Sequence, residues 1–216
     1  MAKATYNGEK NSKERSMQKL LDAVGTIIKT KGYTGLSSVN VGKAAGLNRM
    51  LINMYFGSLD NLVETYVRGK DYWVAAAGNA RELMEEKKNK DTREILEALL
   101  INQLSYFHKE EEMQKIVLWQ LSERSEIMFE IAEEREKLGE TFFNSADPYF
   151  ANTDVDLRAV AGLLVGGIYY MVLHAKSNDS LFCQIDVNSP EGLERIKNAI
   201  KQILKDTYAK AEKYKR

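Results

Sequence analysis

Apolar residues recur every three or four positions along almost the whole of this 216-residue chain, and only two prolines interrupt the pattern. Such spacing places side chains on one face of an α-helix, and the scarcity of proline leaves long stretches free to be helical. Near the start, Leu20, Val24 and Ile28 follow this spacing up to Gly32, a residue typical of helix ends. The pattern therefore predicts an all-α fold.

Similar spacing predicts helices through the rest of the chain, with polar caps at several starts. Ser58 and Ser189 precede apolar stripes at the N-cap position, and Pro190 follows at the first helical position. The segment 182–187 alternates only loosely and is expected to be a loop. The later helices are expected over 59–86, from about 91 to 107, from about 113 to 121, from about 127 to a stop at Pro148, over 154–176 and over 190–212.

Charge is unevenly distributed, although the chain has 31 basic and 31 acidic residues and a formal net charge of zero. Residues 1–56 contain nine Lys or Arg and three acidic residues, a net charge of +6, so the remaining residues carry −6. The neutral total is a cancellation between a basic head, residues 1–56, and an acidic body. A basic head indicates contact with an anionic partner.

Composition limits the compartment and the classes of site. A single cysteine excludes an intramolecular disulfide and fits a reducing compartment. The polar N-terminus has no apolar signal segment, and the longest apolar run, 159–173, is shorter than the roughly 20 residues of a membrane-spanning helix. No Cys/His cluster has zinc spacing. We therefore expect a soluble cytoplasmic protein with no membrane span, no metal and no cofactor.

The basic head contains three predicted helices, with a tight turn between the second and the third. Ser37 or Ser38 caps the second helix, Gly46 ends it, and Asn48 caps a third helix that runs to Phe56. Helix, glycine turn and helix form a helix-turn-helix pattern, whose second helix enters the major groove of DNA. Short three-helix units also occur in proteins that do not bind DNA, so the pattern alone leaves both roles open.

Candidate DNA contacts are the side chains left on the outer face of the third helix once Leu47, Ile52 and Phe56 point inward. Arginine bonds guanine bidentately, asparagine does so with adenine, and apolar side chains such as Met50 and Leu51 contact thymine methyl groups. The predicted DNA-binding residues are Ser37, Lys43, Asn48, Arg49, Leu51, Asn53 and Tyr55.

Several segments of the head, in order and with matching gaps, resemble the N-terminal signature of the TetR family of transcriptional regulators over about residues 15–65. The resemblance implies a homodimer of nine-helix chains. It implies a DNA-binding domain over 1–58 with a polar N-terminal arm, and a helical ligand-binding and dimerisation domain over 59–216. The matching segments are Leu20-Leu21-Asp22-Ala23, Lys31-Gly32-Tyr33, Val41-Gly42-Lys43-Ala44-Ala45-Gly46-Leu47 and Tyr55-Phe56-Gly57-Ser58-Leu59-Asp60-Asn61-Leu62.

The same resemblance implies a repressor that binds a pseudo-palindromic operator and leaves it when a small-molecule effector binds. The helices near 154–176 and 190–212 would form the contact between subunits. Met50, Asn53 and Leu59 replace the Gly, Tyr and Lys common in the family, of which the last two usually hold phosphates. We therefore expect a different operator. The residues expected to hold the DNA backbone instead are Lys43, Tyr55 and the arm residues Lys10, Lys13 and Arg15.

The body carries large aromatic residues on its apolar stripes, which fits either a plain core or an apolar cavity with polar handles. Trp73, Trp119 and Tyr169 are the candidate pocket residues. The small residues of 159–167 allow close helix approach, within the chain or across a dimer. No phosphate loop, dinucleotide fingerprint or nucleophile elbow is present, so we expect no enzyme. The alternative to a regulator is a helical adaptor that binds only proteins.

Overall fold

A computed structural model describes residues 8–75 and 91–214 of the chain. Within these residues there are ten α-helices, where about nine were expected, and a 3₁₀ turn at Tyr33–Gly35. The all-α prediction is therefore confirmed. The helices are α1 (Gly8–Lys31), α2 (Ser38–Ala45), α3 (Met50–Phe56), α4 (Leu59–Lys70), α5 (Tyr72–Ala75), α6 (Thr92–Lys109), α7 (Glu111–Ser122), α8 (Glu126–Phe150), α9 (Leu157–Asn178) and α10 (Pro190–Lys213).

The helices are grouped into two compact units. The first unit comprises Met1–Asp71 and Glu111–Ile131, and the second comprises Tyr72–Glu110 and Ala132–Arg216. Helix α7 therefore belongs with the N-terminal helices, although α5 and α6 intervene in the sequence. The boundary expected after residue 58 separates a DNA-binding domain from a ligand-binding and dimerisation domain. This division of function stays a prediction.

In the first unit, α1 is the central element and packs against α2, α4 and α7. Its predicted stripe of Leu20, Val24 and Ile28 is buried. The Trp119 ring of α7 stacks on Tyr33, with ring centroids 5.3 Å apart and ring planes at 6°. The 3₁₀ turn after α1 is thus fixed against α7 by an aromatic contact.

Predicted caps are confirmed at several helix starts. The hydroxyls of Ser37, Ser58 and Ser189 each accept a hydrogen bond from the backbone N–H three residues later, at 3.2, 3.0 and 3.0 Å. Ser37, not Ser38, is the cap of α2. The helix expected to open at Asp154 is capped by Asp156 instead, whose side chain accepts from Ala159 N–H at 2.9 Å.

Two predicted helix ends are wrong. The helix expected over 59–86 ends at Lys70, because the backbone of Asp71 is extended (φ −69°, ψ 123°). Residues 76–86 of the expected range lie outside the described residues. The helix expected to stop at Pro148 continues to Phe150. The Phe150 ring packs on Tyr208, with centroids 4.8 Å apart, and this contact supports the last turn beyond the proline.

The expected polar arm is helical where the structure describes it. Helix α1 begins at Gly8, so Lys10, Lys13 and Arg15 lie in its first two turns instead of in an extended segment.

In the second unit, α6 packs against α5, α9 and α10. Leu100, Leu104 and Phe107 of α6 are fully buried or nearly so. The Tyr208 hydroxyl of α10 donates to Thr92 Oγ1 at 2.9 Å, and its burial raises the pKa of Tyr208 to about 12. Between α9 and α10, Phe182 and Ile185 form a single antiparallel bridge within the expected loop.

Helix α9 is long and apolar enough to cross a membrane by length and composition, and less than a third of its most apolar stretch is buried in the single chain. The buried side chains of α9 include Ile168 and Val172, whereas Leu163 and Tyr170 are exposed. One face of α9 therefore packs within the unit and a second apolar face is left open.

A carboxylate from α7 joins three helices of the first unit. Glu112 forms ion pairs with Lys29 of α1 at 2.9 Å and with Lys70 of α4 at 2.6 Å. Burial by itself raises the pKa of Glu112, but hydrogen bonds from Lys70, Lys29 and Tyr66 outweigh it and lower this pKa to about 2. Glu112 is therefore ionised at neutral pH and links α1, α4 and α7.

Replacing this carboxylate by an amide, Glu112→Gln, is expected to lower the free energy of unfolding at pH 7 by about 1–2 kcal/mol, because both lysines are partly exposed and screened. The folded pKa lies below the ordinary value of 4.5, so this stabilisation is present above pH 5 and is lost as the pH falls towards 2. The difference from the original protein in urea unfolding should shrink by more than half at pH 3.

The neighbouring exposed acid provides the control, since Glu111→Gln changes the same helix turn and should alter stability by less than about 0.5 kcal/mol. An equal loss for Glu112→Gln at pH 7 and pH 3 would show that ionisation of Glu112 is not what stabilises the unit.

Candidate functional site

The turn between α2 and α3 is fixed by close backbone packing. A Cβ at Gly42 would lie 3.0 Å from the carbonyl oxygen of Leu47 and 3.2 Å from Cα of Arg49, so α2 approaches the start of α3 at a position without a side chain. Gly46 ends α2 in the left-handed conformation (φ 63°), which glycine adopts without strain. The helix-turn-helix pattern predicted from the sequence is therefore present.

Two asparagine side chains join this motif to the helices around it. Asn40 Nδ2 of α2 donates to the carbonyl oxygen of Gly35 at 2.8 Å, and Asn61 Nδ2 of α4 donates to that of Phe56 at 2.9 Å. The start of α2 is thus tied to the 3₁₀ turn before it, and the end of α3 is tied to α4. Such support keeps the exposed face of α3 in a defined orientation within the first unit.

The two faces of α3 are separated by its helical twist of about 100° per residue. Ile52 is fully buried, and Leu47 and Phe56 are half-buried, as expected for the inner face. Met50 and Met54 both lie about 160° from Ile52 around the helix axis. They are 71% and 73% exposed and form the outermost ridge of α3.

The structure places the predicted DNA-binding residues in two groups. Lys43, Asn48, Arg49 and Asn53 are exposed. Leu51, expected on the outer face, is half-buried; it lies on the same flank of α3 as Tyr55, whereas Asn53 lies on the opposite flank. The two further predicted residues, Ser37 and Tyr55, are also half-buried.

Some predicted contact residues also have structural roles. The Asn48 side chain accepts a hydrogen bond from Met50 N–H at 2.9 Å, so it caps the first turn of α3 as expected. The ammonium of Lys13 lies 5.7 Å from the centre of the Tyr55 ring. This cation–π contact brings a positive charge of α1 beside α3.

Sequence patterns missed Met54 as an outer residue. Its helical position opposite Ile52 was available from the spacing, but apolar side chains in a short helix are ordinarily assigned to the core. The structure shows that the core of the motif is complete without it.

Two of the three candidate pocket residues meet in the second unit. Trp73 Nε1 donates to the Tyr169 hydroxyl at 3.3 Å, and the Phe107 ring lies edge-on to Tyr169 at 4.8 Å. The Tyr72 ring adjoins Trp73 with centroids 5.1 Å apart. Burial, with a smaller effect of Tyr169, raises the pKa of Tyr72 to about 12, so its hydroxyl stays neutral.

Trp119, the third candidate, belongs to the first unit. Besides stacking on Tyr33, its Nε1 donates to Glu123 at 3.2 Å. These contacts explain why Trp119 is buried. Trp119 is therefore not part of the contact between Trp73 and Tyr169.

No sequence pattern pointed to Gln103 of α6, whose side chain is completely buried in the structure. Among the residues that the structure describes, neither its amide nitrogen nor its amide oxygen has a hydrogen-bond partner. Leaving such a group unpaired costs about 1–3 kcal/mol. Gln103 lies one helical turn from Phe107, which contacts Tyr169.

No protein-family model matches the chain, and no curated protein sequence matches it. Several solved structures are similar to it. A putative fatty acid metabolism regulator from Clostridium perfringens has 19% identity and a TM-score of 0.64, with 85% of this chain and 97% of that chain covered. A TetR-like transcriptional regulator from Rhodococcus sp. RHA1 has 18% identity and a TM-score of 0.62, with 90% and 96% covered.

The regulator FadR from Bacillus subtilis, in complex with stearoyl-CoA, has 18% identity and a TM-score of 0.61, with 87% of this chain and 96% of that chain covered. At these identities the likeness concerns the fold. The chain has the all-helical fold of the TetR-like transcriptional regulators, as the resemblance of its first 65 residues implied.

Proposed function

We propose that this protein is a DNA-binding transcriptional regulator that acts as a dimer and responds to a small molecule. The α2–α3 pair carries the proposal: a tight glycine turn holds a helix whose outer face is free and is flanked by Lys43 and Arg49. The positive charge of residues 1–56 supports DNA as the partner. The similar folds are transcriptional regulators, and we propose a cytoplasmic, non-enzymatic role.

The proposed contacts divide into base-reading and phosphate-binding side chains. Arg49 and Asn53 are exposed on or beside α3, and their groups match guanine and adenine edges in the major groove. Lys43 and Lys13 lie on the neighbouring helices α2 and α1, where their charges suit phosphates. Phosphate contacts set the position on DNA, and base contacts select the sequence.

Dimerisation is proposed through the open face of α9. Ala159, Gly162, Leu163, Gly166 and Tyr170 are exposed at helical spacing. A Cβ at either glycine would meet nothing within 4 Å in the single chain, so the stripe leaves room for a close second helix. With α10 beside it, a two-fold pair would set recognition helices about 34–36 Å apart or a multiple of this distance, matching a pseudo-palindromic operator.

The effector is proposed to bind beside Trp73 and Tyr169. Aromatic rings there supply apolar surface, and the unpaired Gln103 amide supplies a polar handle in the same unit. Trp73 follows Lys70, the partner of Glu112, by three residues. A ligand that displaces the Trp73 segment would therefore act on the end of α4, and it releases DNA only if it binds the DNA-free state more tightly.

Selection of bound DNA from random fragments tests whether the protein binds DNA and yields its operator. Variants of Arg49 and Lys43 should then differ in how they bind that operator. Arg49→Ala is expected to weaken binding to the selected operator by about 1–3 kcal/mol and to relax the preference at one base pair. Lys43→Ala should weaken binding to all sequences and reduce the slope of log affinity against log salt by about one unit. Fluorescence anisotropy over a salt series measures both.

An exposed lysine of the second unit, replaced in Lys137→Ala, is the matched control and should change neither quantity. If no DNA sequence is enriched and binding to a protein partner is insensitive to salt, the adaptor alternative replaces the regulator.

Leu163 is the most exposed large apolar residue of α9, at 78%. Leu163→Arg is expected to convert the protein to a monomer, because a charge on the apolar face cannot be buried without a partner. Sedimentation equilibrium measures the change. Leu121→Arg on α7, where the side chain is 72% exposed, is the control and should leave the dimer intact; a dimer that persists in Leu163→Arg places the interface elsewhere.

Trp119→Phe leaves Trp73 as the only tryptophan and so makes its emission a reporter of the proposed pocket. Stearoyl-CoA, the ligand of one similar structure, is the first probe, followed by a metabolite collection. A compound that releases operator DNA should change Trp73 emission, and operator should weaken its binding by the same factor. Release of DNA without any change in emission would locate the effector away from Trp73.

A further inference from the structure

The outermost ridge of α3 is apolar, which is unusual for a helix face that lies against DNA. Met50 and Met54 are more than two-thirds exposed, one helical turn apart, and opposite the buried Ile52. Arg49 and Asn53 lie on one flank of this ridge, and Leu51 and Tyr55 lie on the other. If α3 enters the major groove, as the proposed function holds, the two methionines face the base edges most directly.

Only one apolar group is presented by base pairs in the major groove, the C5-methyl group of thymine. The other edges carry hydrogen-bond donors and acceptors, which a thioether side chain leaves largely unsatisfied. A methionine against guanine or cytosine would therefore desolvate polar groups without replacing their hydrogen bonds. Contact with a thymine methyl group instead buries one apolar surface against another.

The spacing of the two side chains suits base pairs that are two steps apart. Four residues of helix advance by about 6 Å, close to two base-pair steps of about 3.4 Å. Methionine is unbranched and flexible, so it follows a methyl group over a range of helix orientations.

We propose that Met50 and Met54 read thymine methyl groups, one each, within every half-site of the operator. This inference rests on the proposed function and adds to it the base preference of helix α3. DNA is favoured over an apolar protein surface as the occupant because both flanks of the ridge carry a cation. Arg49 is exposed on one flank, and Lys13 lies 5.7 Å from the Tyr55 ring on the other; Lys43 is exposed on the neighbouring helix α2. Asn53, an adenine-reading side chain, lies on the same exposed face.

The test removes single methyl groups from DNA. After an operator has been selected, each thymine of one half-site is replaced in turn by deoxyuridine, which pairs identically but lacks the methyl group. Binding of the full-length protein is measured by fluorescence anisotropy for the original protein, for Met50→Ala and for Met54→Ala. Circular dichroism checks that both variants are folded, which is expected because neither side chain is buried.

Two thymines per half-site are expected to respond, each losing about fourfold in affinity as uracil, the effect of one buried methyl-sized group. Met54→Ala should bind thymine and uracil equally at one of these positions and retain the discrimination at the other. Met50→Ala should do the reverse. Leu121→Ala, which removes an equally exposed apolar side chain from α7, should retain both responses.

Uracil tolerated at every position, or discrimination that survives in both methionine variants, would overturn the assignment while leaving the regulator in place. If the selection enriches no DNA, the proposed function itself fails and this assignment falls with it. If the methionine variants instead lose association with a second copy of the chain, seen by sedimentation, the ridge is a protein contact.

Discussion

The ion pairs of Glu112 are the constraint on which the first unit depends. Its carboxylate lies on α7 and binds Lys29 of α1 and Lys70 of α4, so one ionised group holds helices that are far apart in the chain. Helix α1 in turn packs against α2, which carries the turn to α3. The orientation of α3 within the first unit therefore depends on the partly buried charge of Glu112. A neutral amide at this position would keep the shape of the side chain but lose its charge.

The two units divide the chemistry of the protein. The first contains the helix-turn-helix and the basic head, residues 1–56, a combination suited to an anionic polymer. The second combines buried and half-buried aromatic rings, neutral phenols and an amide that has no partner among the described residues, a combination suited to a small and largely apolar molecule. Only two residues of chain separate Lys70 from Trp73, so a signal between the proposed sites has a short covalent route.

Local features of the site were predictable because they depend on neighbours in sequence. The glycine turn, the caps at Ser37, Ser58 and Asn48, and the burial of Ile52 all follow from spacing within one or two turns. Leu51, predicted on the outer face of α3, is half-buried, and its contact with DNA stays a prediction. Met54, which the sequence patterns did not select, lies with Met50 on the outer ridge, and the proposed role in reading DNA adds it to the apolar contact already expected of Met50.

The sequence by itself determined the all-α class, the order of the helices and the basic head, since these depend on local periodicity and on charge along the chain. Only the tertiary structure decided that α7 joins the N-terminal helices, that Trp119 stacks on Tyr33, and that Gln103 is buried without a partner among the described residues. These features arise from contacts between residues distant in sequence, which a local pattern does not encode. The open apolar face of α9 belongs to the same group, because spacing marks a helix as apolar without showing which side its own chain covers.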